Sequence, residues 1–217
     1  MKTKVLLADD HKIFRDGLRT LIEKEGMDVL GEAENGRMAI KLAEKLLPDV
    51  VIMDVSMPDM NGIEATRKII AAIPNVKVIG LSMHSDRRFV LGMLEAGASG
   101  YLLKDCAFEE LASAIAQVST GNAYLSPKIA DVVVKGYLNK TDDTRPGGAG
   151  AVLTSREREI LQLIAEGLTA KEVAAHVFLS VKTVETHRRN IMQKLNMRST
   201  ADLTKYAIRE GLVALET

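Results

Sequence analysis

Three acids, one hydroxyl and one lysine are the residues of this sequence whose types and positions could do chemistry together. Asp9 and Asp10 follow the first short apolar run of the chain, and Asp54 follows a later one. Ser82 and Lys104 each follow or end a further run. Clustered carboxylates repel one another unless a cation is present, and Mg²⁺ prefers hard oxygen ligands of this kind. With the metal bound, one carboxylate could attack a phosphoryl group while the lysine and the hydroxyl stabilise the transferred oxygens.

The elements that must position these residues alternate between strand and helix signals. Short apolar runs predict five strands, at residues 5–8, 27–33, 50–53, 76–81 and 101–103. A segment with the apolar period of an amphipathic helix follows each of them. This alternation predicts a doubly wound α/β fold with a parallel five-stranded sheet. Ligands bind beyond the carboxyl ends of the strands in such sheets, so the acids, the hydroxyl and the lysine are predicted to share one crevice.

The chain divides at a segment of different composition. From residue 139 to residue 151 no side chain is both apolar and larger than alanine, and Gly, Pro, Asp and Thr are frequent. Such a segment predicts a flexible linker. We therefore expect a first domain at residues 1–138, with a trailing helix at 127–138, a linker at 139–151 and a second domain at 152–217.

The second domain is predicted to be all-α, with four helices. Thr154 and Thr169 each stand three residues before a glutamate, the spacing of a capping box at a helix start. Ser180 and Thr200 are expected to cap the third and fourth helices, and Gly167 to follow the end of the first. The second helix, a short turn and the third helix come in the order of a helix-turn-helix motif.

The third helix of this domain carries a polar stripe. At about 100° per residue, Val184, Ile191 and Leu195 form the buried side of residues 181–195. The opposite side gathers Lys182, Glu185, Thr186, Arg189 and Gln193. Residues 182–198 contain five basic residues and one acidic residue, an excess that could neutralise DNA phosphates. The stripe suits a helix lying in the DNA major groove, although a plain solvated helix face would show the same pattern.

Composition narrows the class of protein. The 217 residues are 47% hydrophobic and 27% charged, as in soluble globular proteins, and no apolar run approaches the length of a membrane span. The one cysteine, Cys106, cannot form an internal disulfide. We therefore expect a cytoplasmic protein. The formal net charge is zero, so any DNA binding must come from a local cluster of basic residues.

Four motifs of the first domain resemble the receiver domain of bacterial two-component response regulators. They are Asp9-Asp10, residues 53–62 (MDVSMPDMNG), Leu81-Ser82 and residues 100–104 (GYLLK). The resemblance implies the CheY-like receiver fold, with Asp54 as the phosphoacceptor. It also implies an Mg²⁺ ion held by Asp9, Asp10, Asp54 and the backbone carbonyl of Ser56.

The same resemblance implies that Ser82 and Lys104 sense the phosphoryl group and that Tyr101 reorients with Ser82. Two positions depart from the family pattern. Asp105 stands where many receivers have a proline with a cis bond, which leaves the isomer of the Lys104–Asp105 bond open. Met83 is larger than the Ala or Gly common at its position, and we expect it to narrow access to the phosphoacceptor and to slow loss of the phosphate.

The second domain resembles the LuxR-type four-helix DNA-binding domain. The resemblance is carried by residues 153–161 (LTSREREIL), 167–174 (GLTAKEVA) and 180–187 (SVKTVETH). By position it implies base contacts by Lys182, Glu185, Thr186 and Arg189, and contacts to the DNA backbone by Thr183, Arg188 and Lys194. Leu203, Ala207 and Ile208 resemble the dimer face of that family, with a role in the domain core as an equal alternative.

Together the two resemblances imply a response regulator of the NarL/FixJ class, and not an enzyme that turns over an external substrate. A histidine kinase would phosphorylate Asp54, and homodimers would bind promoter half-sites in double-stranded DNA. Two alternatives stay open at this point. A constitutive DNA-binding regulator would use its receiver only for protein contacts. An aspartate-nucleophile phosphatase would need an Asp-x-Asp pair, whereas Asp9 and Asp10 are adjacent.

Overall fold

The computed structural model describes residues 2–138 and 153–213, with side chains described for 2–135 and 153–213. The chain separates into two compact units, Met1–Thr141 and Asp142–Thr217. The predicted linker at residues 139–151 lies outside the described residues, so its exact limits stay a prediction. Within the described part, no helix is both long enough and apolar enough to cross a bilayer.

The first unit is built on one parallel sheet. Its strands are β1 (Lys4–Ala8), β2 (Asp28–Ala33), β3 (Val50–Asp54), β4 (Lys77–Ser82), β5 (Gly100–Leu103) and β6 (Tyr124–Leu125). They lie in the order β2-β1-β3-β4-β5-β6, and each pairs in parallel with its neighbours. The predicted doubly wound sheet is confirmed, but it has six strands and not five. Two residues are too few to produce an apolar run, so β6 is defined by its pairing with β5.

The helices of this unit lie on both faces of the sheet. They are α1 (Lys12–Lys24), α2 (Gly36–Leu46), α3 (Gly62–Ala72), α4 (Arg87–Glu95), α5 (Phe108–Ser119) and α6 (Pro127–Leu138). Alternate residues of β1 enter different cores: Val5 and Leu7 pack with α1 and α5, whereas Leu6 and Ala8 pack with α2, α3 and α4. Burial on both faces is why the strands are nearly continuous apolar runs. The expected trailing helix corresponds to α6.

The strand register brings the chemistry-bearing residues to one edge of the sheet. Ala8 pairs with Met53, and Ser82 pairs with Leu103, so the carboxyl ends of β1, β3, β4 and β5 finish side by side. Gly62 begins α3 directly against β3, and a β-carbon there would collide with the carbonyl oxygen of Asp54. A glycine is therefore required at this position for the helix to start so close to the strand end.

The described residues of the second unit, 153–213, form four helices, as predicted: α7 (Ser155–Ala165), α8 (Ala170–His176), α9 (Val181–Leu195) and α10 (Thr200–Arg209). The capping boxes at Thr154 and Thr169 are both present, and Ser180 caps α9. The predicted cap at Thr200 is wrong. The cap of α10 is Ser199, whose hydroxyl accepts a hydrogen bond from the N–H of Asp202 at 3.1 Å.

The core of the second unit settles the two roles considered for the fourth helix. Leu203 and Ala207 are completely buried and pack with residues of α7, α8 and α9, so for these two the core role is correct and the dimer-face role is wrong. Ile208 is half-buried. On α9, Val184 and Ile191 are buried as predicted, and Leu195 is half-buried.

Candidate functional sites

An acid cluster lies at the carboxyl edge of the sheet. Asp9, Asp10, His11 and Asp54 each offer one ligand atom within 4.8 Å of the others. The side chains of Asp9 and Asp54 are 4% exposed, whereas that of Asp10 is 31% exposed. Two buried carboxylates and one that faces solvent fit a hard divalent cation that keeps part of its water shell, as Mg²⁺ does. The three acids predicted to converge therefore do so.

His11 belongs to the same cluster, although the strand-end pattern does not predict it. Its Nδ1 lies 3.3 Å from an oxygen of Asp9 and 3.0 Å from an oxygen of Asp10, and its ring is 70% exposed. Its backbone N–H donates to Oδ1 of Asp9 at 2.9 Å. Nδ1 of His11 is therefore close to both carboxylates. No single-residue signal in the sequence separates this histidine from a solvated helix-start residue.

Lys104 bridges the two buried acids. Its Nζ lies 2.6 Å from Oδ2 of Asp9 and 2.9 Å from Oδ2 of Asp54, and its side chain is 8% exposed. Burial by itself lowers the pKa of Lys104, but the carboxylates of Asp54 and Asp9 outweigh burial and raise that pKa. The Lys104 ammonium also lies over the ring of Phe14, 4.9 Å from its centroid. This lysine therefore stays charged and supplies the positive charge that holds the acids together.

Asp54 is almost completely buried. Burial raises the pKa of Asp54 to about 6 against the opposing effect of Lys104, and the neighbouring charge of Asp9 adds to the increase. The backbone N–H of Ser56 donates to Oδ1 of Asp54 at 3.2 Å. The Lys104 contact uses the other oxygen, Oδ2. A buried carboxylate held by fixed hydrogen-bond donors is chemically able to act as a nucleophile in phosphoryl transfer.

Ser82 and Tyr101 meet at one backbone segment. The N–H of His84 donates to Oγ of Ser82 at 3.1 Å, and the carbonyl of His84 accepts from the hydroxyl of Tyr101 at 2.7 Å. Both side chains are completely buried, and burial raises the pKa of Tyr101 to about 12. The ring of His84 stacks on Phe89 of α4 at a centroid distance of 4.8 Å. The backbone of His84 therefore contacts both Ser82 and Tyr101, and its ring contacts α4.

The two departures from the receiver pattern have definite structures. The described residues contain no cis peptide bond, so the bond between Lys104 and Asp105 is trans. Met83 is 72% exposed. It lines a groove of about 590 Å³ together with His11, Ile13, Phe14, Gly17, Leu18, Leu21 and Lys104. Met83 therefore shares a groove with His11 of the acid cluster and with Lys104.

The outward side of α9 presents the predicted polar stripe. Lys182, Thr186 and Arg189 are exposed, and Glu185 is half-buried. The hydroxyl of Thr186 donates to the carbonyl of Lys182 at 2.9 Å. These four residues are the ones predicted to contact bases, and they form one continuous strip.

The residues predicted to contact the DNA backbone have partners inside the domain. Arg188 donates to the hydroxyl of Thr200 at 2.6 Å, and Nζ of Lys194 lies 2.7 Å from Oε2 of Glu157. Thr183 shares a hydrogen bond of 2.8 Å with the hydroxyl of Ser180. These contacts attach α9 to α10 and to α7, so a phosphate at Arg188 or Lys194 has to compete with them.

Comparisons with known proteins agree with this architecture. Residues 5–116 match the model of the response regulator receiver domain, and residues 151–207 match that of bacterial regulatory proteins of the luxR family. The oxygen regulatory protein NreC of Staphylococcus carnosus is 39% identical over 214 residues, which cover 97% of this chain and 99% of that protein. The response regulator UvrY of Escherichia coli is 38% identical over 214 residues, with 98% and 97% covered.

A solved structure of a two-component response regulator, the RcsB–DNA complex, is also similar. It is 28% identical to this chain, with a TM-score of 0.59, and the match covers 97% of this chain and 99% of that one. Matches over nearly the whole length, with both domains in the same order, leave one assignment. The chain belongs to the two-component response regulators of the NarL/FixJ type, DNA-binding transcription regulators in which a receiver domain precedes a LuxR-type helix-turn-helix domain.

Proposed function

We propose that this protein is a transcription regulator controlled by phosphorylation, which accepts a phosphoryl group on Asp54 from a histidine kinase and then changes its dimerisation and promoter binding. The observation that carries the proposal is the buried bridge from Lys104 to both Asp9 and Asp54. A buried lysine placed on a nucleophilic carboxylate is suited to neutralise charge that a phosphoryl group brings.

The acid cluster is proposed to hold Mg²⁺. Asp9, Asp10 and Asp54 would supply carboxylate oxygens, and Ser56 would supply its backbone carbonyl. The mixture of buried and exposed carboxylates fits an ion that keeps several waters. When bound, Mg²⁺ would reduce the repulsion between these acids and the oxygens of an incoming phosphoryl group.

Transfer to Asp54 uses the residues around it. An oxygen of Asp54 bonds to phosphorus as the P–N bond of the phosphohistidine of the kinase breaks, and the imidazole keeps the electron pair. Lys104 would then exchange its contact with Asp54 for a phosphoryl oxygen, and Ser82 would donate its hydroxyl to another. The aspartyl phosphate would carry a charge of about −2 at neutral pH in place of the −1 of the free carboxylate, and this change would draw in both side chains. Because Tyr101 and Ser82 share the backbone of His84, the surface near α4 would change with them.

DNA binding is proposed for the outward strip of α9. Lys182, Glu185, Thr186 and Arg189 would read bases in the major groove, while Thr183, Arg188 and Lys194 would contact phosphates. Two copies of the chain would bind two half-sites about one helical turn apart. The DNA complex of the related RcsB supports this part of the proposal.

The test is chemical labelling followed by DNA binding. We expect acetyl phosphate with Mg²⁺ to label the wild-type chain once, and Asp54→Asn to abolish the label. Asp131→Asn, an exposed aspartate of α6, is the matched control and should label normally. Footprinting on genomic DNA with and without acetyl phosphate then shows whether phosphorylation changes promoter affinity.

The alternative function is a constitutive DNA-binding regulator whose receiver only mediates protein contacts. It predicts the same operator affinity for the wild-type chain with and without the phosphodonor, and normal affinity in Asp54→Asn. Equal affinities would therefore contradict the phosphorylation switch and leave the DNA-binding function intact.

A further inference from the structure

We propose that Arg15 is a positioning residue of the acid cluster, which holds the turn between β1 and α1 so that Asp9 and Asp10 face one divalent cation together. The inference rests on the proposed function of the cluster and names a residue outside its ligand set. Arg15 lies on α1 and does not follow a strand end, so the strand-end pattern does not select it.

The side chain of Arg15 is buried and contacts the backbone of Asp9. Arg15 is 9% exposed, and its Nη1 donates to the carbonyl oxygen of Asp9 at 2.5 Å. Its Nε lies 3.4 Å from Oε2 of Glu32 on β2. The planar guanidinium can make both contacts at once because its donors point in fixed and different directions. Arg15 thus links the turn after β1 to the neighbouring strand.

The two backbone groups of Asp9 are tied to β2 by separate routes. Its N–H donates to the carbonyl of Ala33 at 3.0 Å. Its carbonyl is tied to β2 through Arg15 and Glu32. With both groups fixed, the backbone position from which the Asp9 carboxylate reaches Lys104 and approaches Asp54 is held in place. The carbonyl of Asp9 also belongs to the peptide group that leads into Asp10, so the same hydrogen bond orients both acids.

Removal of the guanidinium has a direct physical consequence. The carbonyl of Asp9 would lose a charge-assisted hydrogen bond at a buried position. The acids repel one another, and a looser turn would let them move apart. Groups that orient metal ligands from outside the ligand set typically change metal affinity by about 10- to 100-fold when they are mutated. We expect an effect of that size on Mg²⁺ binding.

Arg19 provides a matched comparison on the same helix. Its Nε lies 2.6 Å from Oε1 of Glu32, closer than the Nε of Arg15 is to the same carboxylate. In the described part of the chain, the hydrogen bonds and ion pairs of Arg19 do not reach Asp9. The side chain of Arg19 is 39% exposed. If Glu32 pairing with α1 were the whole role of Arg15, the two arginines would behave alike. The positioning role predicts that they differ.

The experiment is a Mg²⁺ titration of the full-length protein by isothermal titration calorimetry, because the chain has no tryptophan to report binding by fluorescence. We compare wild type, Arg15→Met, Arg15→Lys and Arg19→Met, and measure the melting temperature of each without metal. The expected result is a Kd about 10- to 100-fold weaker for Arg15→Met. Arg19→Met should retain the wild-type Kd. Arg15→Lys keeps one charged donor for the Asp9 carbonyl and should restore part of the affinity.

The outcomes separate this inference from the proposed function. Wild-type binding that Asp54→Asn does not weaken would contradict the proposed Mg²⁺ site itself. Asp54-dependent binding with Arg15→Met within twofold of wild type would overturn the positioning role. Equal weakening in Arg15→Met and Arg19→Met would also overturn it, because a general effect of the Glu32 pairs would then suffice. If Arg15→Met does not fold, Arg15→Lys is the deciding variant. A Kd for Mg²⁺ within twofold of the wild-type value in both Arg15→Lys and Glu32→Gln would then reject the inference.

Discussion

At the scale of single residues, the main feature of the receiver crevice is Lys104, which lies between two buried acids. Lys104 reaches Asp9 and Asp54 from the end of β5, and it has no comparable contact with Asp10, which faces solvent. This difference assigns the acids different surroundings although two of them are adjacent in sequence. Asp10 is therefore the most exposed of the three acids and the only one of them that Lys104 does not pair with among the described contacts.

We expect Met83 to slow the loss of the phosphoryl group from Asp54 relative to receivers that have Ala or Gly at this position. It is 72% exposed and shares a groove with His11 and Lys104. Met83→Ala should shorten the lifetime of the phosphorylated protein a few-fold, because water would reach the acyl phosphate more easily. The measurement is the decay of radiolabelled phosphate after removal of the donor. Met38→Ala, a 39% exposed methionine of α2, is the control. An unchanged lifetime in Met83→Ala would contradict the expectation.

At the scale of elements, capping boxes fix the starts of α7 and α8, and the glutamate of the first capping box also contacts α9. The carboxylate of Glu157 accepts from the N–H of Thr154 at 2.8 Å and pairs with Lys194 of α9 at 2.7 Å. Its side chain is only 6% exposed. One carboxylate therefore couples the start of α7 to the end of α9.

Glu157→Gln should weaken this coupling in a pH-dependent way. Burial opposes ionisation of Glu157, but the hydrogen bonds from Lys194 and Thr154 outweigh burial and lower its pKa below 4.5. A lowered pKa in the folded state stabilises the domain above about pH 4.5, and this stabilisation is lost as the pH falls through the folded pKa. At pH 7 we expect about 1 kcal/mol less protection of the α7 amides in hydrogen exchange.

The control for that measurement is Glu172→Gln in α8. Glu172 makes the same capping box with Thr169, without an ion-pair partner on α9 of the kind that Lys194 gives Glu157. Glu172→Gln should therefore not change the hydrogen-exchange protection of the α7 amides. The difference between wild type and Glu157→Gln should shrink as the pH falls below about 4.5. A difference that is independent of pH would contradict a role for the ionised carboxylate.

The strip on α9 predicts two kinds of DNA defect. Arg189→Ala should cost about 1–3 kcal/mol on the preferred sequence and much less on unrelated DNA, because it removes a base contact. Lys194→Ala should weaken all DNA alike and reduce the dependence of binding on salt, and it should also loosen the contact with Glu157. Electrophoretic shifts on specific and random duplexes measure both. Lys205→Ala, an exposed lysine of α10, is the comparison. Equal loss on both duplexes in Arg189→Ala would rule out base reading by Arg189.

At the scale of the whole molecule, control by phosphorylation is a coupling between two sites on separate units. Such coupling is reciprocal for equilibrium binding: whatever factor the phosphoryl state adds to DNA affinity, DNA adds to the affinity for the phosphoryl state. Beryllofluoride, which binds reversibly at aspartates as a phosphoryl mimic, allows both sides to be measured.

We expect beryllofluoride to change operator affinity and the operator to change beryllofluoride affinity by the same factor, about 5- to 150-fold for typical couplings. Calorimetric titration of beryllofluoride with and without operator DNA gives one side, and DNA titration gives the other. Asp54→Asn should show neither effect. A factor of one on both sides would favour the constitutive regulator over the switch.

Much of this protein could be predicted from sequence because its signals are local. Apolar runs in the sequence indicate strands that are buried on both faces. The helix starts at Thr154 and Thr169 are indicated by a hydroxyl residue three positions before a glutamate, and the helix start at Ser180 by its capping hydroxyl. The convergence of Asp9, Asp54 and Lys104 follows from a general rule for parallel sheets. In each case the physical cause acts within a few residues or through a common topology.

Tertiary contacts alone decided the remainder. Strand β6 is defined by its pairing with β5. The cap of α10 is instead a local signal, because Ser199 stands three residues before Asp202 and bonds to it, although the prediction placed the cap at Thr200. Arg15 reaches Asp9, and Lys194 reaches Glu157, across distances in sequence that no local pattern encodes. A long charged side chain can form a hydrogen bond or an ion pair with any of several partners. Only the packed structure therefore determines which partner it contacts.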